Sequence, residues 1–86
     1  MKVIRITAVW CMSCLLMKRR YDKLFEEDQY EIIDLDFDED DIEAYNVGDV
    51  LPVVVIYKDG KEIKRLVGEK SKKDLKKIKF ELEKLS

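Results

Sequence analysis

Eighty-six residues, 47% of them hydrophobic, are enough for one small core and too few for two, so one domain over 1–86 is expected. Seventeen basic against nineteen acidic residues leave a net charge of −2, which gives the chain no global attraction for nucleic acid or an anionic membrane. There is no histidine, which excludes Cys-His nucleophilic catalysis and mixed Cys/His zinc sites. Met1 leads directly into Lys2-Val3-Ile4-Arg5-Ile6 without a signal-peptide h-region, and no segment approaches the roughly 20 apolar residues of a membrane span. A cytoplasmic setting is expected. There a lone structural disulfide would not persist, whereas a cycling one would.

Residues 2–9 are rich in β-branched side chains and read as a strand covered on both faces, except where Arg5 reaches an edge or solvent. Trp10-Cys11-Met12-Ser13-Cys14 follows and holds the only two cysteines, one helical turn apart. From Met12 the positions Leu15, Leu16, Leu24 and Phe25 recur at helical spacing, predicting a helix to about Glu27 with these residues inward. The cysteines thus sit where a helix begins. Unpaired backbone N–H groups and the positive end of the helix dipole converge there and favour a thiolate over a thiol, most of all at Cys11.

Tyr30 to Phe37 reads as a second strand that stops at the acidic run Asp36 to Asp41. Strand, helix, strand implies a right-handed parallel crossover. Asp40 or Asp41 is expected to cap a short second helix through Ile42 and Tyr45, followed by an irregular approach to Pro52. Val53 to Tyr57 is too continuously apolar for a surface strand, and Lys58-Asp59-Gly60-Lys61 supplies a hairpin turn into Glu62 to Val67. Ser71 and Asp74 resemble a capping box, with Leu75, Ile78, Leu82 and Leu85 as the apolar stripe of a final helix. Phe80 falls off that stripe and reads as an exposed aromatic. The order β-α-β-α-β-β-α predicts an α/β fold, a four-stranded mixed sheet with helices on both faces.

Three separated signals make the chain resemble the thioredoxin superfamily over nearly its full length, at a size closer to glutaredoxin. They are Trp10-Cys11-x-x-Cys14 between strand and helix, Tyr45-Asn46-Val47 leading to Pro52 and an apolar strand, and Tyr57-Lys58-Asp59-Gly60-Lys61 continuing to Val67-Gly68. The resemblance implies a thioredoxin-like fold and dithiol–disulfide oxidoreductase chemistry without a cofactor or bound metal. Cys11 is then the exposed nucleophile, which attacks a partner disulfide, and Cys14, one turn deeper, is the resolving thiol. It also implies a substrate groove made by Trp10, Met12, Ser13, Leu51, Pro52 and Gly68, with Trp10 covering the disulfide, a cis peptide at Leu51–Pro52 and a close backbone approach at Gly68.

The implied partners are disulfide-containing proteins or small disulfides, and an electron donor that is either a thioredoxin reductase-like enzyme or glutathione. A monomer is expected. The motif departs from the family where Met12-Ser13 replaces Gly-Pro or Pro-Tyr. Arg5 stands where thioredoxins keep a buried aspartate, for which Asp34 or Asp36 could substitute, although both also read as solvated strand-end carboxylates. The interval from Tyr45 to Pro52 is one residue longer than usual, and Val53 replaces threonine. Lys18-Arg19-Arg20 reads as a solvated basic face. Two other readings keep the fold: redox-idle structural cysteines, or a Cys₄ metal site shared between two chains.

Overall fold

The computed structural model describes residues 1–85. Its strands are β1 (Lys2–Thr7), β2 (Glu31–Asp36), β3 (Val53–Lys58) and β4 (Lys61–Val67), and its helices are α1 (Met12–Leu24) and α2 (Lys72–Leu85). They form one sheet in the order β2-β1-β3-β4. β1 runs parallel to β2, with Ile4 opposite Ile33, and antiparallel to β3, with Ile4 opposite Val55. β3 and β4 form the hairpin expected from Asp59-Gly60. Both turn residues have positive φ, 54° and 79°, which fits a two-residue turn matched to strand twist.

Alternation along the central strands divides the core in two. Val3, Val54, Ile56 and Leu66 face one cluster with Met17, Tyr21, Leu24 and Phe25 from α1 and its end, and Leu75, Ile78 and Leu82 from α2. Ile4, Ile6, Val53 and Val55 face the other, with Ala8, Cys11, Cys14 and Leu51. Ile42, Tyr45 and Val47 pack over this second cluster. Both faces are covered, one by two full helices and the other mainly by the segment between β2 and β3.

That segment corrects one expectation. The second helix contracts to a single 3-10 turn, Glu43–Tyr45, capped by neither Asp40 nor Asp41 in the expected manner. Asp36 Oδ1 accepts the N–H groups of Asp38 and Glu39, Asp40 Oδ2 accepts that of Asp36, and Asp41 Oδ1 accepts that of Glu43. Short acidic side chains compete here for the backbone donors that a helix would use. Asn46, in the left-handed region at φ 52°, ends the turn.

The first helix also stops earlier than expected, at Leu24 rather than Glu27. Phe25 leaves the helix and enters the core, edge-on to Tyr30 with ring centroids 5.2 Å apart. The buried stripe of α1 is Cys14, Met17, Tyr21 and Leu24, while Leu15 and Leu16 are 64% and 62% exposed. In α2 the expected stripe holds at Leu75, Ile78 and Leu82, whereas Leu85 is exposed at the end. Ser71 Oγ accepts the Asp74 N–H at 3.1 Å, as in a capping box. Phe80 is exposed beneath the Lys84 ammonium, 4.5 Å from its ring centroid. Among the described residues no helix is long and apolar enough to cross a membrane.

Burial sets the cost of mutation. Leu82→Ala empties a site closed to solvent and is expected to lower unfolding free energy by about 2–5 kcal/mol. Phe80→Ala loses only a surface cation–π contact and should cost under about 1 kcal/mol. Urea titration of both variants measures the difference.

Candidate active site around the dithiol

β1 delivers the chain to the N-terminus of α1, and Cys11 is the helix N-cap. Its N–H donates to the Ala8 carbonyl at 3.1 Å, and its Sγ accepts the Cys14 N–H at 3.2 Å. A sulfur thus occupies the place usually taken by a hydroxyl or carboxylate oxygen, where an otherwise unpaired helix donor and the helix dipole present partial positive charge. Both cysteines are free thiols.

The expected contrast between an exposed Cys11 and a deep Cys14 is corrected: they are 8% and 7% exposed. Cys11 folds back over the first turn to reach the Cys14 N–H and packs in the same apolar cluster as Ala8 and Leu51. Desolvation, followed by the hydrogen bond with Cys11, pushes the Cys14 thiol up to about 11.

A cavity of about 260 Å³ lies beside Cys14, and Arg5, Lys18, Tyr21, Asp34, Asp36 and Pro52 contribute to its wall. Arg5 resolves its own problem of burial by reaching across β2 and back to α1. Its guanidinium holds Asp34 through two hydrogen bonds of 2.7 and 3.0 Å and Asp22 through one of 2.6 Å, a charge-assisted arrangement. Asp34 therefore sits on the cavity as an ion-paired group, and Asp36 as the cap of the following turn. A wider cleft of about 820 Å³, lined by Met1, Tyr30, Tyr57 and Gly60 among others, includes neither cysteine.

The Leu51–Pro52 peptide is cis. The Pro52 carbonyl accepts the Gly68 N–H at 2.8 Å, and the Gly68 carbonyl accepts the buried Tyr21 hydroxyl at 3.1 Å. Gly68 has φ +77°, and a Cβ there would come within 3.1 Å of Val50 Cγ1. Trp10 is 60% exposed. Its Nε1 donates to Asp38 Oδ2 at 2.6 Å and its ring meets Phe37 edge-on, with centroids 6.0 Å apart. Ser13 Oγ donates to Glu69 Oε2 at 3.2 Å, and the Met12 side chain is exposed.

Val9, Leu15, Leu16 and Val50 are exposed apolar residues near these positions in the chain, and sequence reasoning missed them as surface. It also missed Tyr21. The available signal was the spacing Cys14, Met17, Tyr21, Leu24, which returns to one helical face. Tyr21 is pushed up to about 12 by burial and then by Cys14.

The thioredoxin family model matches residues 1–79. A thioredoxin of Chlamydia muridarum is 36% identical over 73 residues, spanning 83% of this chain and 72% of that protein. Thioredoxin 1 of Thermosipho africanus superimposes with a TM-score of 0.75 at 24% identity, covering 96% of each chain. Thioredoxin from Trypanosoma brucei brucei gives 0.77 at 23% identity, covering 98% of this chain and 73% of that one.

Two outcomes follow from the geometry. A thiol raised from 9.0 to about 11 and a phenol raised from 10.0 to about 12 keep their protons longer in the folded state than in the unfolded state. The unfolded chain therefore binds fewer protons above pH 9, and stability falls as pH rises. The reduced protein should be at full stability with respect to these groups below pH 9 and lose about 2–3 kcal/mol for Cys14 by pH 11. Cys14→Ser should move the onset up to the Tyr21 window, read by urea titration in reducing buffer. Gly68→Ala should cost at least about 1–2 kcal/mol from the left-handed backbone alone, measured as a lowered Tm.

Cys11 Sγ caps α1 by accepting the Cys14 N–H, and the peptide before Pro52 is cis; with a family model matched over residues 1–79 and a thioredoxin 36% identical over 73 residues, this chain belongs to the thioredoxin family, whose general chemistry is thiol–disulfide exchange.

Proposed function

We propose that the protein reduces disulfides of other proteins through a Cys11/Cys14 dithiol. The observation that carries this reading is the Cys14 N–H donated to Cys11 Sγ at the start of α1. Cys11 thiolate attacks one sulfur of the partner disulfide in line. The Cys11–partner bond forms, the partner S–S bond breaks, and the departing sulfur leaves as a thiolate that takes a proton from water. Cys14 then loses its proton and attacks Cys11 Sγ. The intramolecular disulfide forms, and the second partner sulfur leaves with the electron pair.

The two thiols are suited to different steps. At pH 7 a thiol of pKa near 11 is ionised to only about one part in ten thousand, so Cys14 waits until the mixed disulfide has formed. Its proton has a polar exit through the cavity bearing Asp34 and Asp36. Trp10, Met12 and Ser13 form the rim that receives the partner, and Leu51, Pro52 and Gly68, whose side-chain positions are buried, contribute backbone to it. Val9, Leu15 and Leu16 extend that rim with apolar surface, which favours extended, partly unfolded segments over small charged thiols. Electrons return from a reductase or a small thiol, and the protein works as a cytoplasmic monomer.

Purified protein is expected to catalyse dithiothreitol-driven reduction of insulin. Cys11→Ser should abolish this activity, and Cys14→Ser should accumulate mixed disulfides visible on non-reducing gels. Full activity in the Cys11→Ser protein would overturn the assignment. Metal bound at one ion per two chains after reducing purification would replace it with the shared Cys₄ site.

A further inference from the structure

At the far end of α1 from the dithiol, α1 and α2 enclose a groove of about 320 Å³. Arg20 and Lys23 of α1 face Lys72, Lys76 and Lys79 of α2 across it, Leu24 and Leu75 form its floor, and among the described residues no carboxylate lines it. The chain as a whole carries a net charge of −2, so five cations in one groove are a local concentration.

The clustering of these like charges is unfavourable to the fold. Some cations elsewhere on the surface are paired, as in Lys18–Asp22, Lys64–Glu81 and Arg65–Glu62. Among the described residues none of the five groove cations is in an ion pair. Lys72 and Lys76 repel one another at i,i+4, as do Lys76 and Lys79 at i,i+3. Lys72 also begins α2, where the helix dipole disfavours a cation. Arg20 is held in place by donation to the Lys70 carbonyl at 2.8 Å, which leaves its charge uncompensated.

We infer that this groove is a docking site for an acidic, amphipathic helical segment of a partner protein. Cations on both walls match carboxylates on the flanks of such a helix, and the leucine floor matches its apolar stripe. Nucleic acid fits less well. Among the described residues no aromatic side chain lines the groove to stack a base. Lys23 lies nine residues beyond Cys14, about 13 Å along the helix, so an occupied groove leaves the dithiol open. The inference is independent of the dithiol chemistry.

Fluorescence anisotropy with a labelled peptide of about 16 residues, long enough for a marginal helix and carrying Glu on both flanks of a Leu stripe, tests it. Saturable one-to-one binding is expected near physiological ionic strength, weakening steeply with added salt. The K72E/K76E/K79E protein should bind at least about tenfold more weakly, or about 1.4 kcal/mol. The milder K76Q/K79Q protein should lose about threefold, or half that free energy, and insulin reduction should be unchanged in both. Absence of saturation, equal affinity for a scrambled peptide or equal affinity in both variants would overturn the inference. So would tighter binding of single-stranded oligonucleotide, or self-association in sedimentation that charge reversal abolishes.

Discussion

β1 and β3 lie side by side at the centre of the sheet, with Val3, Ile4, Ile6 and Val53 to Ile56 almost wholly withdrawn from water. A chain of this length has no other place to bury apolar surface on two sides, so the remaining elements are arranged to cover this pair. α1 and α2 close one face. The other is closed by the turn-rich segment between β2 and β3, together with both cysteines. The dithiol is therefore part of the wall of the core, which explains both its order and its low exposure.

That location governs the chemistry. β1 ends at the N-terminus of α1, so the first sulfur receives the Cys14 N–H while the second is desolvated in the same cluster. Two thiols of nearly equal exposure are differentiated by which one accepts a helix donor. Around them, the only charged residue in the centre of β1 is satisfied sideways, Arg5 taking Asp34 from the neighbouring strand and Asp22 from the helix above. This keeps a charged cluster on the cavity that Cys14 borders, in a chain where thioredoxins would place a lone carboxyl group.

Local pattern was enough for several elements. Asp59-Gly60 named its turn, because only residues tolerant of positive φ fit a two-residue hairpin, and Ser71 with Asp74 marked the start of α2. The strand–Cys-x-x-Cys–helix order placed the dithiol at a helix start. The inward face of α1 is not legible from local pattern, because Leu15 and Leu16 are more apolar than Tyr21. Tyr21 is nevertheless the residue buried, since its hydroxyl has a partner in the Gly68 carbonyl. The contraction of the second helix is not legible either, because its flanking aspartates bind backbone N–H groups of their own turn, a competition that capping rules do not weigh.

The sequence by itself determined the order of elements, the spacing of the two cysteines and their position at a helix start, since each depends on neighbours within one or two turns of chain. Tertiary structure decided what those local rules cannot reach. It set the equal burial of the sulfurs, the hydrogen bond from Gly68 to Pro52, the cluster around Arg5, and the convergence of α1 and α2 cations on one groove. Each of these brings together residues far apart in the chain, and their energies arise from desolvation and charge proximity that exist only once the two faces of the sheet are closed.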